Sequence, residues 1–255
     1  MAARRYHLAR PQYPAVLFDA LHEMAGLIGP ADVLEVGPAT GVATTPMAER
    51  GHRITAVELG ADLAVEARRN LASFKEVSVE HASFDSWEPE RWGSFDLVFA
   101  ATAWHWMDPG TKYQRARRHL RPGGVLAFWS AGHVVPQGGD PFFADIQDVY
   151  DEIGESLSDS HRFPTPGEMP DLSGEVAASE GLEMIGVRHF DWEITYDANA
   201  YVALLETFSD HIAIDGWKRD RLFGEIRRRL AERPDGLLRR HWGAALHAAR
   251  RDPPD

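Results

Sequence analysis

Residues Val33 to Thr44 read "VLEVGPATGVAT". The run starts as an apolar strand with Glu35 inside it, then turns through Gly37 and Gly41. The next segment, Val42 to Arg50, suits a helix ended by Gly51. A strand, a glycine turn and a helix N-terminus bring backbone N–H groups to face a ligand. Gly37 and Gly41 let the backbone approach closely or turn sharply. A turn built for a dinucleotide would show G-x-G-x-x-G to cradle a pyrophosphate. Gly37-Pro38-Ala39-Thr40-Gly41 does not fit that spacing. Glu35 also stands two positions before the first glycine. A carboxylate there repels a phosphate and tolerates a cationic, amine-bearing ligand.

Strands and helices alternate on both sides of this turn. Leu17, Leu21, Met24 and Ile28 recur at helical spacing over Pro14 to Ile28, and Gly29-Pro30 stops that helix. "RITAVEL" is a second strand, Ala61 to Ala72 a second helix after the turn, and "EVSVEHA" a third strand. "SFDLVFAAT" is a fourth strand, "TKYQRARRHL" is helical, "RPGG" is a turn and "VLAFWSA" is a fifth strand. Such alternation predicts βαβ units and a doubly wound, mostly parallel α/β sheet. The continuous apolar runs suit strands covered on both faces. The pattern changes after Gly132. "FFADIQDVYDEIGESL" reads as an amphipathic helix with Phe143, Ile146, Val149 and Ile153 on one face and acids on the other. A Pro-rich linker comes after it, then a strand, "GLEMIGVRHFDWEITY". Two helices come next, and a last strand, "RRHWGAALHAARR", with alternating apolar and polar residues. The expected organisation is one domain over 1–255, with residues 132–181 forming a helical cap inserted into it.

The composition narrows the function. The chain has 255 residues and is 44% hydrophobic, enough for one sizeable core. It carries a net charge of −12, which disfavours a nucleic-acid partner. There is no cysteine, no long apolar run and no apolar stretch at the start. These features point to a cytoplasmic protein without disulfides, a membrane span or a signal peptide. The histidines are widely spaced and form no metal-binding run, and no G-x-S-x-G elbow occurs. The basic runs "RDRLFGEIRRRLAER" and "LLRRHW" are expected to pair with nearby acids.

"LEVGPATG" resembles the first motif, E/D-x-G-x-G-x-G, of the class I S-adenosylmethionine-dependent methyltransferases. The resemblance implies a Rossmann-like sheet of seven strands with the last one antiparallel, and S-adenosylmethionine as cofactor. It places Glu35 by the methionine amino end of the cofactor, with Gly37, Pro38, Ala39 and Gly41 making room. Ala39 replaces the middle glycine. Glu58, 21 positions after Gly37, is implied to accept both ribose hydroxyls, with Leu59 beside it. "ASFDSW" is similar to the segment that contacts adenine, through Ser83, Phe84 or, just beyond, Asp85. Ala101 falls at the end of the fourth strand, and "LRPGG" resembles the turn before the fifth. "YHLARPQYP" resembles a segment that folds over the cofactor, with Tyr6, Arg10 and Tyr13 to cover it and Arg10 to pair with its carboxylate. The resemblance covers Tyr6 to Gly132 well. The later part, including "ETFSDH", is similar to one bacterial subgroup with small-molecule or unassigned substrates.

"AWHW", Ala103 to Trp106, comes after the strand that carries catalytic groups in this fold. Two readings of His105 are open. It is a general base, for which its reference pKa near 6.5 suits it, or it lines the pocket beside Trp104 and Trp106. The floor of a mostly apolar cleft is expected at these three residues, closed by the apolar face of the cap. The leading expectation is methyl transfer to a small molecule by a monomer or homodimer. The competing ones are a methyltransferase-fold enzyme that performs a cyclisation or isomerisation, and an NAD(P)-linked oxidoreductase.

Overall fold

The computed structural model describes residues 2–90, 92–156 and 162–253. In chain order the elements are α1 (Ala2–Ala9), α2 (Ala15–Ala25), β1 (Asp32–Val36), α3 (Thr44–Glu49), β2 (Arg53–Glu58), α4 (Ala61–Asn70), β3 (Val77–His81) and β4 (Phe95–Ala101). Then come α5 (Lys112–His119), β5 (Leu120–Trp129), β6 (Ala131–His133), α6 (Phe142–Asp145), α7 (Gln147–Glu152), α8 (Ser173–Ala177) and β7 (Leu182–Asp197). The last are α9 (Ala198–Leu205), α10 (Ser209–Ala213), α11 (Gly216–Ala231) and β8 (Leu237–Arg251).

The strands form one sheet in the order β3-β2-β1-β4-β5-β8-β6, with β7 also paired to β8. The ladders β1–β2, β1–β4, β2–β3 and β4–β5 are parallel, and β5–β8 is antiparallel. The sheet therefore has eight strands among the described residues, one more than expected. The extra strand is β6. β8 is 15 residues long, so the part of it beyond β5 offers a ladder that the chain leaving β5 can occupy. β8 also departs from the expected alternation, because Trp242 to Ala249 are all buried. "RPGG" is drawn into β5, with a register shift between Phe95 and Leu97 on the facing strand.

The chain divides into two compact units. One comprises 1–11, 133–168 and 191–243; the other comprises 12–132, 169–190 and 244–255. The segment expected as a cap, 132–181, contributes 133–168 to the first unit, while 169–181 falls in the second.

The second unit holds β1 to β5 and helices α2 to α5. Its core includes Leu34, Val36, Val57, Val98, Ala100, Leu126 and Phe128. In the central strands Val33, Leu34 and Val36 of β1 and Leu97 to Ala100 of β4 are all buried, because both faces are covered there. β1 sits between β2 and β4, so the chain reverses its direction of travel across the sheet there. The C-terminal ends of β1 and β4 are the place where such sheets hold ligands.

In the first unit, the amphipathic stretch is broken at Ile146 into α6 and α7. Phe142, Ile146, Val149 and Ile153 are buried, while Phe143, placed on that face by periodicity, is half-buried. The end of the expected helix, Leu157, lies outside the described residues. Its acids do not simply face water. Asp148, Glu152 and Glu155 pair with Arg229, Arg221 and Lys218 of α11. Among the described residues no helix is long and apolar enough to cross a membrane.

Candidate cofactor site

Glu35 lies in β1 and is 1% exposed. Neither of its carboxylate oxygens has a hydrogen-bond partner among the described residues. Burial pushes the carboxyl up to about 8; the nearby Thr44 hydroxyl pulls the other way and the Glu58 carboxylate adds to the rise. That hydroxyl is itself buried and closes no hydrogen bond. A buried acceptor left open costs about 1–3 kcal/mol. An ammonium group would supply both the missing donors and the charge that favours ionised Glu35.

The turn after β1 is pinned on every side. The Gly37 N–H donates to the Val57 carbonyl at 2.9 Å, and the Gly41 N–H to the Pro38 carbonyl at 2.9 Å. Asn70 Nδ2 donates to the Thr40 carbonyl at 2.9 Å. Gly37 has φ of +67°, and a Cβ on it would stand 2.7 Å from the Ala103 Cβ. The first glycine is thus required by its own backbone angle and by the chain leaving β4. Ala39 has φ of +50°, a left-handed angle that costs a Cβ-bearing residue roughly 1–2 kcal/mol. This is why a glycine is the easier residue at that position.

Glu58 closes the other side of the turn. Its Oε2 accepts the Ala39 N–H at 2.8 Å and its Oε1 accepts the Gly60 N–H at 2.7 Å. Burial raises its pKa against these and other backbone hydrogen bonds. Each oxygen already serves one amide and keeps acceptor capacity for one more donor. Leu59, next along, is exposed.

At the end of β4, Ala101 faces Trp129 of β5 in register. Thr102 comes next, with φ of +54°. For a β-branched residue this is an outlier, and such strain gathers at functional sites. Its Oγ1 lies 2.9 Å from the Tyr13 hydroxyl and accepts the Ala131 N–H at 3.1 Å. The Tyr13 ring also stands edge-on to Trp129 at 5.5 Å. Tyr13 stands out in the sequence. Thr102 does not, because a threonine after an apolar strand gives no sign of its backbone angle.

Trp104 to Trp106 form a single 3-10 turn. Three residues per turn send three side chains in different directions. Trp104 is buried in the core and stacks on Phe128 at 5.4 Å. His105 and Trp106 are exposed, with their rings 4.9 Å apart. Partial desolvation and the Lys112 ammonium hold the His105 imidazole below its ordinary pKa. Among the described residues no carboxylate orients that imidazole.

A methyltransferase-domain family profile matches residues 34–128. The ubiquinone biosynthesis O-methyltransferase of Pseudomonas aeruginosa strain UCBPP-PA14 is 30% identical over 173 residues, which span 66% of this chain and 72% of that protein. The chain belongs to the class I S-adenosylmethionine-dependent methyltransferase family. A methyltransferase of Mycobacterium tuberculosis strain H37Rv is 30% identical over 154 residues, 55% of this chain and 59% of the relative. The match thus spans less than two thirds of that relative's length. A solved structure described as a type II methyltransferase from Anaeromyxobacter dehalogenans superposes with a TM-score of 0.68 at 26% identity, covering 96% of this chain and 99% of that one.

The residues present fit S-adenosylmethionine, the cofactor of this methyltransferase. Glu35 offers two open acceptors for its amino group, and Glu58 has acceptor capacity left for its hydroxyls. Other residues that stand out in the sequence are placed differently. Phe84 is buried, 6.3 Å from Trp104 and 5.5 Å from His119. The Ser83 carbonyl is taken by the N–H groups of Ser86 and Trp87. Asp85 accepts a long 3.4 Å hydrogen bond from the Asp108 N–H. Tyr6 and Arg10 belong to the first unit. There the Arg10 guanidinium stacks on Tyr6 and donates to the Thr207 carbonyl. Among the described residues no group of three or more His, Asp or Glu is placed to hold a metal ion.

Proposed function

We propose that this methyltransferase transfers a methyl group to a small organic acceptor, with positioning and exclusion of water as the main sources of rate. When bound, S-adenosylmethionine supplies the electrophilic methyl. Glu35 and the Gly37 to Gly41 turn fix the methionine end, and Glu58 fixes the ribose. Thr102, held by Tyr13, sets the wall at the end of β4. The observation that carries this reading is the buried Glu35 carboxylate, open on both oxygens among the described residues and beside the Gly37 to Gly41 turn. A small acceptor is favoured over nucleic acid by the net charge of −12. His105 acts in this scheme as a wall of the acceptor site, since no carboxylate among the described residues orients it as a base.

The test is to incubate the protein with S-adenosylmethionine and a panel of small acceptors, monitoring S-adenosylhomocysteine and product mass together. The expected result is equal amounts of demethylated cofactor and of product heavier by one methylene. His105→Ala should lower turnover by less than ~10-fold and act largely on KM; a loss of ~10²–10⁴-fold in kcat would make it the base. An acceptor converted to an isomer without S-adenosylhomocysteine would overturn methyl transfer in favour of cyclisation or isomerisation.

A further inference from the structure

Thr102 holds a backbone angle that its own side chain opposes. Its φ is +54°, an outlier for a β-branched residue. Such an angle persists only where the surroundings over-determine it. Three hydrogen bonds do so here. The Thr102 N–H donates to the Trp129 carbonyl at 2.7 Å. Its Oγ1 accepts the Ala131 N–H at 3.1 Å, so backbone and side chain together grip the exit of β5. The third joins Oγ1 to the Tyr13 hydroxyl at 2.9 Å. Two of the three pass through the Thr102 hydroxyl, which is therefore what secures the angle.

Tyr13 is a firm post for that hydroxyl. It is joined through Pro14, with φ of −65°, to α2, where Leu17, Phe18 and Leu21 are fully buried. Its ring stands edge-on to Phe18 at 6.3 Å and to Trp129 at 5.5 Å. The ring contacts fix the ring, and its tip reaches the end of β4. All of these residues belong to the second unit.

The angle at Thr102 directs the chain that comes next. Ala103 takes up the space a side chain at Gly37 would need: a Cβ there would stand 2.7 Å from the Ala103 Cβ. Gly37 in turn lies two residues beyond Glu35, which pairs with Phe99 across β1 and β4. A change of angle at Thr102 moves Ala103, and Ala103 bears directly on the glycine turn. We infer that Tyr13 is a positioning residue for the cofactor: its hydroxyl holds Thr102 in the left-handed conformation that seats Ala103 against Gly37, and so fixes the glycine turn relative to the end of β4. Tyr13 acts through Thr102 and not by touching the cofactor. This rests on the reading of Glu35 and the glycine turn as the cofactor site.

The test is calorimetric titration of the full chain and its variants with S-adenosylhomocysteine. Tyr13→Phe keeps the ring, and Thr102→Val keeps the β-branch while removing the hydroxyl. Each should weaken binding ~3–10-fold, the loss expected for one hydrogen bond. Thr102→Ser keeps the hydroxyl and should bind within ~2-fold of the native chain. The double variant Tyr13→Phe/Thr102→Val should bind as Thr102→Val does, because Tyr13→Phe then has no bond left to remove. A further ~3-fold loss in the double variant would mean that the Tyr13 hydroxyl touches the cofactor itself, and overturns the inference. So does Thr102→Ser losing as much as Thr102→Val. A Tyr13→Phe chain that melts at a lower temperature but binds with native affinity has lost only a structural bond, which overturns it too. Should Thr102→Val not fold, Thr102→Gly takes its place in the cycle, since glycine accepts the angle unaided, and Tyr13→Phe should again cost nothing there. Failure of S-adenosylhomocysteine to bind the native chain would strike the cofactor reading instead.

Discussion

The Glu35 carboxylate and the His119 imidazole, both in the second unit, are fully buried and without a hydrogen-bond partner among the described residues. His119 ends α5 inside an aromatic slot, stacked on Trp92 at 4.5 Å and on Trp87 at 5.2 Å. Burial, with Arg115 and Arg118 nearby, pushes its pKa down to about 3, so it stays neutral. The slot is full, and the ring serves as an apolar plate. Glu35 stands beside a turn that needs a glycine and near two non-glycine residues, Ala39 and Thr102, at positive φ. An unsatisfied group in a filled, relaxed slot is packing. An unsatisfied group beside strained backbone is a candidate binding site.

That contrast is easiest to break at Gly37. A side chain there meets the Ala103 Cβ and a left-handed backbone at once. Gly37→Val should lower S-adenosylhomocysteine affinity by at least ~100-fold and also depress the melting temperature. Normal binding by a folded variant would remove the turn from the cofactor site. Glu58→Gln comes next. The amide oxygen keeps one backbone N–H, but the charge and the second acceptor go, and affinity should fall ~10–100-fold. Calorimetric binding unchanged from the native chain would show that Glu58 serves only the turn.

The smallest effect is predicted on the packing side. His119→Phe keeps the plate and removes two unmet polar atoms, so stability at neutral pH should hold or rise by about 1 kcal/mol. Native His119 has a folded pKa below its unfolded value near 6.5. Its neutral form is therefore favoured by folding above pH 6.5, and that advantage is lost as the pH falls from 6.5 towards 3. At pH 5 the native chain should lose roughly 2 kcal/mol from this residue alone, and the variant should not. Denaturant melts at pH 7 and pH 5 measure both. Weakened cofactor binding in His119→Phe would erase the distinction between the two groups.

Much of the second unit is legible in the sequence. The strand, turn and helix around Gly37, the acid at Glu58 and the order of the first five strands come from local patterns that chemistry and packing impose together. The first unit is not legible in the same way. It is assembled from three separate stretches, 1–11, 133–168 and 191–243, and periodicity within one stretch carries no information about the others. For that reason the contiguous 132–181 insertion expected from the sequence is divided between the two units. His105 and Trp106 look like partners of Trp104 in the sequence because adjacency hides the divergence of a 3-10 turn. The strain at Thr102 has no local signature at all, since the partners of its side chain, Tyr13 and Ala131, lie far along the chain.

The central claim is that Glu35 is a neutral acid in the free protein and ionises against the cofactor's amino group. Titrating S-adenosylhomocysteine at pH 7 in buffers of different ionisation enthalpy counts the protons exchanged on binding. With Glu35 held at about 8 in the free chain, binding should release about one proton per cofactor. Affinity should rise as the pH climbs from 6 towards 8, and Glu35→Gln should bind more weakly with that release abolished. No net proton exchange in the native chain, together with equal affinity in Glu35→Gln, would contradict the account.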